Sequence, residues 1–269
     1  MTRPRKSRRA VSIYMFMVYM VATSAVMLLA PELLPVEEPP PFSFMRLIGV
    51  KELALCIALY APAAAGERRE MMVLTAWGRM STIAWSALLV ALRGAPSSVL
   101  FGVLPDVAGA WHTLRADALD RGEAPDAGTA SGPALPPVRR TIAEHATRGF
   151  IIVVGGVELA AGLSAMLSSA STSPPGLDVA IRSFAMATGI IGAYQVAIGI
   201  SQNLRPLWSG VAMYHLACAA LMRWLKLEAR EHRAREMLHA MVALALHVLL
   251  YACPSSESEA RPKAAKKSK

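Results

Sequence analysis

Charged residues lie inside several long apolar runs of this sequence, where burying a charge in hydrocarbon is costly and needs a reason. The ionisable residues within these runs, our candidate functional residues, are Arg46, Lys51, Glu52, Arg79, Asp106, Glu158, Arg182 and His215. One interpretation is a set of ion pairs between helices: Glu52 or Asp106 with Arg79, and Glu158 with Arg182. The other is a polar pocket that binds a lipid head group or a quinone-like ligand. Arg46 and Arg182 lie near the ends of their runs and can snorkel to the interface.

Two further histidines, His239 and His247, are eight residues apart, which places them on one face of a helix. Two imidazoles are too few for a metal site, which takes three or four protein ligands. The cysteines Cys56, Cys218 and Cys253 show no CxxC spacing. A glycine-rich phosphate loop, a GxSxG elbow and an HExxH motif are also missing from the sequence. The sequence therefore predicts no catalytic residue, no metal site and no cofactor.

Composition places these residues in a membrane protein. Hydrophobic residues make up 54% of the 269 residues, charged residues 17%, and the mean hydropathy is +0.40. The apolar runs are about 20 residues long, the length of a helix that spans a bilayer core. They are continuous and rich in Ala, Leu, Met and Gly, which favours helices over barrel strands. The net charge of +9 lies beside these runs, which indicates contact with anionic lipid rather than nucleic acid.

The pattern predicts eight transmembrane helices arranged as two four-helix bundles in tandem, an all-α polytopic fold. The candidate spans are residues 11–34, 42–65, 71–92, 99–114, 149–168, 177–201, 204–225 and 237–253. The fourth span contains Pro105 and Asp106 and is expected to be kinked or shielded from lipid. The chain divides into a first unit (1–114), a polar linker (115–148), a second unit (149–253) and a disordered, lysine-rich tail (254–269).

The distribution of basic residues predicts that both termini are cytosolic. With that orientation, 18 of the 28 Lys and Arg residues face the cytoplasm and 6 face the lumen. The basic segment 226–236 is the misfit, because it falls on the lumenal side. Glycines within the runs predict close helix packing: Gly155, Gly156, Gly162, Gly189, Gly192 and Gly199.

The two halves show an internal repeat. Moving the second half back by 136 residues aligns Arg46 with Arg182, Arg69 with Arg205, and Arg79 with His215. An even number of spans precedes the second half, so both units have the same orientation. The sequence thus predicts a parallel repeat, unlike the inverted repeats of many secondary transporters.

Part of the second half resembles a known family. The residues are the IRSF of 181–184, the Gly-Ala-Tyr of 192–194, Trp208 and the Tyr-His pair of 214–215. They are similar to the small four-helix endoplasmic-reticulum family that tethers ergosterol-biosynthesis enzymes. The chain departs from that pattern at Ala185, where the family has glycine, and at Ala219 and Ala220, where it has an acidic residue. The first half is similar to DoxX-like and uncharacterised fungal four-helix membrane families.

The resemblance implies a non-enzymatic scaffold or adaptor role in lipid or sterol metabolism, with membrane lipids and other membrane proteins as partners. Two alternatives remain open. One is a small-molecule or lipid transporter, and the other is a membrane enzyme that uses Asp106, Glu158 or His215 as acid or base. Lys266 and Lys267 match a dilysine retrieval signal, which predicts the endoplasmic reticulum as the location.

Overall fold

The computed structural model describes residues 6–33, 42–93, 102–122, 142–168, 175–225 and 230–252, with the single positions 95, 97 and 100. Within these ranges the chain forms helices and turns and no strand. The helices are α1 (Arg8–Leu29), α2 (Phe42–Leu55), α3 (Ala61–Ala65), α4 (Arg69–Arg93), α5 (Leu104–Gly122), α6 (Ile142–Leu167), α7 (Pro175–Ile200), α8 (Trp208–Trp224) and α9 (Arg230–Tyr251). A π-helical turn, Cys56–Tyr60, joins α2 to α3 into one continuous rod.

Six of these segments are long and apolar enough to cross a membrane. They are Arg8–Leu29, Ser43–Ala65, Arg69–Ala91, Ile142–Leu167, Leu177–Ile200 and Arg233–Tyr251. The predicted all-α fold is thereby confirmed for the described residues, and the six candidate spans are consistent with the predicted membrane class. Helices α5 and α8 also form where spans were predicted, but they are not among the six.

Three predicted boundaries differ from the structure. Helix α5 begins at Leu104 and runs to Gly122, because Pro105 in its first turn starts the helix instead of kinking it. It therefore takes up the start of the predicted linker. Helix α6 begins at Ile142, inside the other end of that linker. Most of the predicted lumenal loop 226–236 belongs to α9, where Glu236 pairs with Arg223 at 3.7 Å.

The helices alternate in direction, and many of their ends meet at one side of the molecule, which we call the N-terminal face. There Ser7, at the start of α1, donates to Glu67 in the turn between α3 and α4. Asp117, near the end of α5, pairs with Arg9 and Arg69. Arg205, in the 3-10 segment before α8, pairs with Glu144 at the start of α6.

The two halves share one hydrophobic core. Helix α1 packs on α2 and α5, α6 packs along α7, and α8 packs on α9. Helix α2 also packs against α7 and α8, and α4 packs against α7, so contacts between the halves are extensive. A single cluster of buried residues runs from Ala10 in α1 to Leu246 in α9. The core thus positions side chains of both halves around a common centre.

Glycines bring α6 and α7 into backbone contact, which confirms the packing predicted for them. A Cβ atom on Gly162 would lie 2.6 Å from the backbone nitrogen of Gly189, and one on Gly192 would lie 2.5 Å from the carbonyl oxygen of Gly155. Real Cβ contacts do not reach such distances, so no larger side chain fits without separating the helices. This close approach fixes the relative height of Glu158 on α6 and Gln195 on α7.

Candidate metal centre

Five helices place polar side chains at one point inside the bundle. Lys51 comes from α2, Glu158 from α6, Gln195 from α7, His215 from α8 and His239 from α9. Four of the five are buried: Gln195 is 0% exposed, His215 1%, Lys51 2% and His239 6%. Glu158 is half-buried. Because Lys51 lies in the first half of the chain and the other four in the second, both halves build this centre.

Three of these side chains have the donor atoms of a metal site. The ligand atoms of Glu158, His215 and His239 all lie within 4.8 Å of one another. Bonds of about 2.0–2.1 Å to a tetrahedral zinc ion place its ligand atoms about 3.3 Å apart. Binding would therefore draw Glu158 inward by up to about 1.5 Å and separate the two Nδ1 atoms, now 2.7 Å apart, by about 0.6 Å. Two imidazoles and one carboxylate suit a divalent first-row transition metal such as Zn²⁺ or Fe²⁺.

Hydrogen bonds orient the ligands. The amide nitrogen Nε2 of Gln195 donates to Oε2 of Glu158 at 2.9 Å. The amide oxygen Oε1 of Gln195 then faces Nε2 of His215 at 3.5 Å, and an oxygen only accepts, so this contact favours a proton on Nε2. The lone pair of His215 is then on Nδ1, which lies 2.7 Å from Nδ1 of His239. Gln195 therefore holds both a carboxylate and an imidazole in the orientation that a metal ion needs.

The ammonium group of Lys51 lies beside the centre without entering it. Its Nζ donates to Oγ1 of Thr188 at 2.8 Å and lies 4.8 Å from the centre of the Phe184 ring. The two histidines hydrogen-bond to one another through their Nδ1 atoms at 2.7 Å.

Tyr214 packs against the two histidines of the centre, and its hydroxyl is buried beside them. The Tyr214 ring packs edge-on against His215 at 5.1 Å and against His239 at 6.1 Å between centroids. Tyr214 is 0% exposed, and its hydroxyl lies beside the Cys218 thiol without a well-formed hydrogen bond in the described protein. A buried hydroxyl without a partner is unfavourable by about 1–3 kcal/mol, so the structure carries an unused polar atom next to the two histidines.

The predicted ion pairs are wrong. Arg182 is 1% exposed and pairs with Asp178 at 2.8 Å, one turn earlier on α7, instead of Glu158. It also donates to the carbonyl oxygens of Ala165, Met166 and Ser168. These are carbonyls at the C-terminal end of α6, which have no partner within the helix. Arg182 therefore caps the C-terminal end of α6.

Arg79 is also buried, and within the part of the chain that the structure describes no carboxylate lies within salt-bridge distance of it. Its Nε donates to the Thr75 carbonyl at 3.2 Å and its Nη2 to Oγ1 of Thr113 at 3.0 Å. The guanidinium lies over the Phe16 ring at 4.1 Å, a cation–π contact that replaces the predicted pair with Glu52 or Asp106. Arg79 thus belongs to a second polar cluster, in the first half of the chain. Ser12 extends it by bonding both Thr113 and His112.

The remaining candidates make no hydrogen bond to either cluster within the described residues. Glu52 accepts from Oγ of Ser24 at 3.3 Å. Asp106 is half-buried in the first turn of α5. Arg46 is half-buried near the start of α2, and its Nε has no partner in the described protein. Lys266 and Lys267, the predicted retrieval signal, lie outside the described residues.

A third polar cluster ties helices together at the N-terminal face. Asp117 is 3% exposed and pairs with Arg69 at 2.7 Å, with Arg9 at 3.3 Å and with Arg121 at 3.3 Å. Burial alone raises the pKa of the Asp117 carboxyl, but the hydrogen bond and charge of Arg69 and the charges of Arg121 and Arg9 lower it by more, so its pKa lies below the ordinary range. Asp117 thereby joins α1, α4 and α5.

Sequence reasoning found Lys51, Glu158 and His215 but missed two members of the centre. It grouped His239 with His247, whereas the structure pairs His239 with His215 and leaves His247 bonded to the Ala243 carbonyl at 2.8 Å. It passed over Gln195 because the search covered ionisable residues alone. A side-chain amide is also costly to bury, so a polar residue within an apolar run would have identified Gln195 as a candidate.

Comparisons with protein-family models, with curated proteins and with solved structures give no match.

Proposed function

We propose that this chain is a membrane-embedded metal-binding protein that holds a divalent transition-metal ion at Glu158, His215 and His239. The observation that carries this proposal is the convergence of three ligand-type side chains from three helices, within 4.8 Å of one another, inside a bundle with six candidate spans. Three protein ligands leave a fourth coordination position for water or a substrate, as in catalytic zinc sites.

The charge of the surroundings is compatible with this function. Glu158 offsets one unit of the metal charge, and Lys51 is held away from the imidazoles by Thr188. The Tyr214 hydroxyl offers a partner to a water molecule bound at the metal. Gln195 supplies the outer hydrogen bonds that metal-ligating groups generally have.

The test is metal content. The full chain is purified in mild detergent, stripped with a chelator and titrated with Zn²⁺ or with Co²⁺, whose absorption spectrum reports coordination. We expect one ion per chain, with binding weakened at least tenfold in Glu158→Gln and in His239→Asn. His247→Asn is the matched control, because His247 lies two turns away on the same helix and outside the centre.

The proposal fails if the wild-type chain retains no more metal than His239→Asn, or if His247→Asn weakens binding equally. Size-exclusion profiles of each variant show whether a loss reflects unfolding. Lys51→Met removes a positive charge beside the site, so it should raise the affinity for the metal about tenfold. This result would support the site through a gain of binding, which misfolding cannot produce.

Eight passes are part of the same proposal. Helices α5 and α8 have 19 and 17 residues, about 28 and 26 Å at 1.5 Å per residue, which is close to the thickness of a bilayer core. Each runs antiparallel to a neighbour: α5 ends at the N-terminal face, and α8 begins there. We place that face in the cytoplasm, supported by its arginines. The endoplasmic-reticulum location and the scaffold role stay predictions of the sequence.

A further inference from the structure

A cavity lies where α6, α7 and α8 meet at the N-terminal face. It is separate from the metal centre, which lies further along these helices. It has a volume of about 150 Å³, several times the ~30 Å³ that one water molecule occupies in the liquid. Its lining includes Glu144, Arg148, Ile200, Ser201, Arg205 and Trp208. We call it the end pocket.

The end pocket sits at the boundary of the membrane. The candidate span on α7 ends at Ile200, and the chain then turns through the 3-10 segment Gln202–Leu207 into α8. Trp208 is buried at this turn, and its Nε1 donates to the Ile198 carbonyl at 3.3 Å. A tryptophan beside arginines at the end of a span is typical of the level of lipid head groups.

Its charges favour an anion. Arg205 pairs with Glu144 and lies over the Trp208 ring at 5.8 Å, so much of its charge is already offset. Arg148 is half-buried and donates from Nη2 to the Ile200 carbonyl at 3.0 Å. A guanidinium has five N–H donors, and this is the single hydrogen bond that Arg148 makes within the described protein. The described lining holds two arginines and one glutamate, a net charge of +1, and the Glu70 carboxylate lies one hydrogen bond behind Ser201.

A carboxylate outside the lining holds Ser201, one of the lining residues, in place. Glu70 accepts from Oγ of Ser201 at 2.6 Å and from Nδ2 of Asn203 at 2.5 Å. These bonds fix Ser201 and the following turn. The guanidinium of Arg148 therefore has N–H donors in the pocket that bond no described group.

We propose that the end pocket binds the phosphate group of an anionic phospholipid through Arg148, with Arg205 and Trp208 forming its floor. Basic pockets between transmembrane helices on the cytoplasmic side bind such head groups in general. Arginine matches a phosphate by forming two parallel hydrogen bonds. The site is independent of the metal centre, so either proposal can fail while the other stands.

The experiment titrates the purified full chain in mild detergent with short-chain phosphatidylglycerol, short-chain phosphatidylcholine or inorganic phosphate, and reads thermal stabilisation. We expect phosphatidylglycerol to act at a concentration at least tenfold lower than the other two. Arg148→Gln should remove most of that preference, and Arg148→Lys should retain part of it. Arg223→Gln is the control, since it removes the same charge at the other end of α8, where the side chain is 82% exposed.

A variant that binds lipid more tightly gives a result that misfolding cannot explain. Glu144→Gln raises the net charge of the pocket to +2 and should tighten phosphatidylglycerol binding severalfold. The proposal is overturned if the two lipids stabilise equally, or if Arg148→Gln and Arg223→Gln reduce the effect to the same extent. Equal action of inorganic phosphate would also overturn it, because that result assigns the pocket to a free ion instead of a lipid.

Discussion

Replacing Arg182 with methionine should be among the most destabilising single changes in this protein. The guanidinium is 1% exposed, bonds Asp178 at 2.8 Å and donates to three carbonyls at the end of α6. Methionine keeps much of the apolar stem but removes every donor. The α6 carbonyls lose their cap, and Asp178 loses its ion pair.

The expected magnitude follows from these contacts. Hydrogen bonds to a charged group contribute about 1.5–3 kcal/mol each, and they are not additive. Removing one member of a buried ion pair costs about 3–5 kcal/mol. We use this range as the total loss of folding stability in Arg182→Met, because the individual hydrogen-bond values cannot be summed. At roughly 2–4 °C per kcal/mol, the melting temperature should fall by about 6–20 °C. The melting temperature of Arg182→Lys should lie between those of wild type and Arg182→Met, because one ammonium group cannot reach the carboxylate and all three carbonyls.

Thermal unfolding can be followed with a thiol-reactive dye, because Cys56 and Cys218 are fully buried in the folded protein. Cys253 is changed to serine so that the dye reports these two thiols. Arg223→Met is the control: its side chain is 82% exposed and lies 3.7 Å from Glu236, so about 0–1 kcal/mol is expected. A melting temperature of Arg182→Met within about 2 °C of wild type would refute the capping role. The double variant with Asp178→Asn should lose less than the sum of the two single changes.

Four further predictions concern other parts of the chain. Lys51→Met should raise the affinity for Zn²⁺ about tenfold, equivalent to ~1.4 kcal/mol, measured by competition with a chelator. Gly162→Leu should separate α6 from α7, destabilise the fold by about 1–3 kcal/mol and weaken metal binding; unchanged melting would contradict the observed backbone contact. Because the pKa of Asp117 is depressed in the fold, its contribution to stability is complete above about pH 4 and is lost as pH falls below that value; Asp117→Asn should reduce stability at neutral pH and flatten this acid loss in a melting series. Changing Lys266 and Lys267 to serine should move a tagged protein from endoplasmic reticulum to Golgi or cell surface; unchanged reticular staining would show that another feature retains it.

Local sequence features predicted the helices well because each depends on neighbouring residues. The apolar runs around Glu158 and Arg182 have the length and composition of spans, and helices formed there. Glycine placement predicted the contact of α6 with α7, since small residues allow close approach wherever they face each other. Pro105 was misinterpreted because proline is unfavourable inside a helix yet suited to its first turn.

Partners of the buried charges were not predictable, because they depend on how the helices rotate and cross. The sequence matched charge with opposite charge, whereas Arg79 satisfies its donors with a threonine, a carbonyl and an aromatic face. Arg182 found its carboxylate one turn away on its own helix. His239 meets His215 because α8 and α9 run antiparallel, a relation that spacing along α9 does not reveal.

The repeat remains a prediction of the sequence, and the centre has a consequence for it. The predicted repeat aligns Arg79 with His215, and both are buried, but they belong to different polar clusters, one in each half. If the two halves began as equivalent units, the metal ligands belong to the second unit alone. The first unit contributes Lys51, which lies beside the centre and donates to Thr188 of the second unit.

Polar contacts between the halves specify how they dock. Apolar surfaces alone allow helices to slide past one another, whereas Lys51 has its hydroxyl acceptor at Thr188 and Tyr194 donates to the Thr75 carbonyl at 3.3 Å. Gly78 leaves the space that this tyrosine fills, since a Cβ there would lie 2.1 Å from the hydroxyl oxygen. A slip of one turn would leave these buried groups without partners, each costing about 1–3 kcal/mol. The same contacts that hold the halves in register therefore hold Lys51 beside the centre.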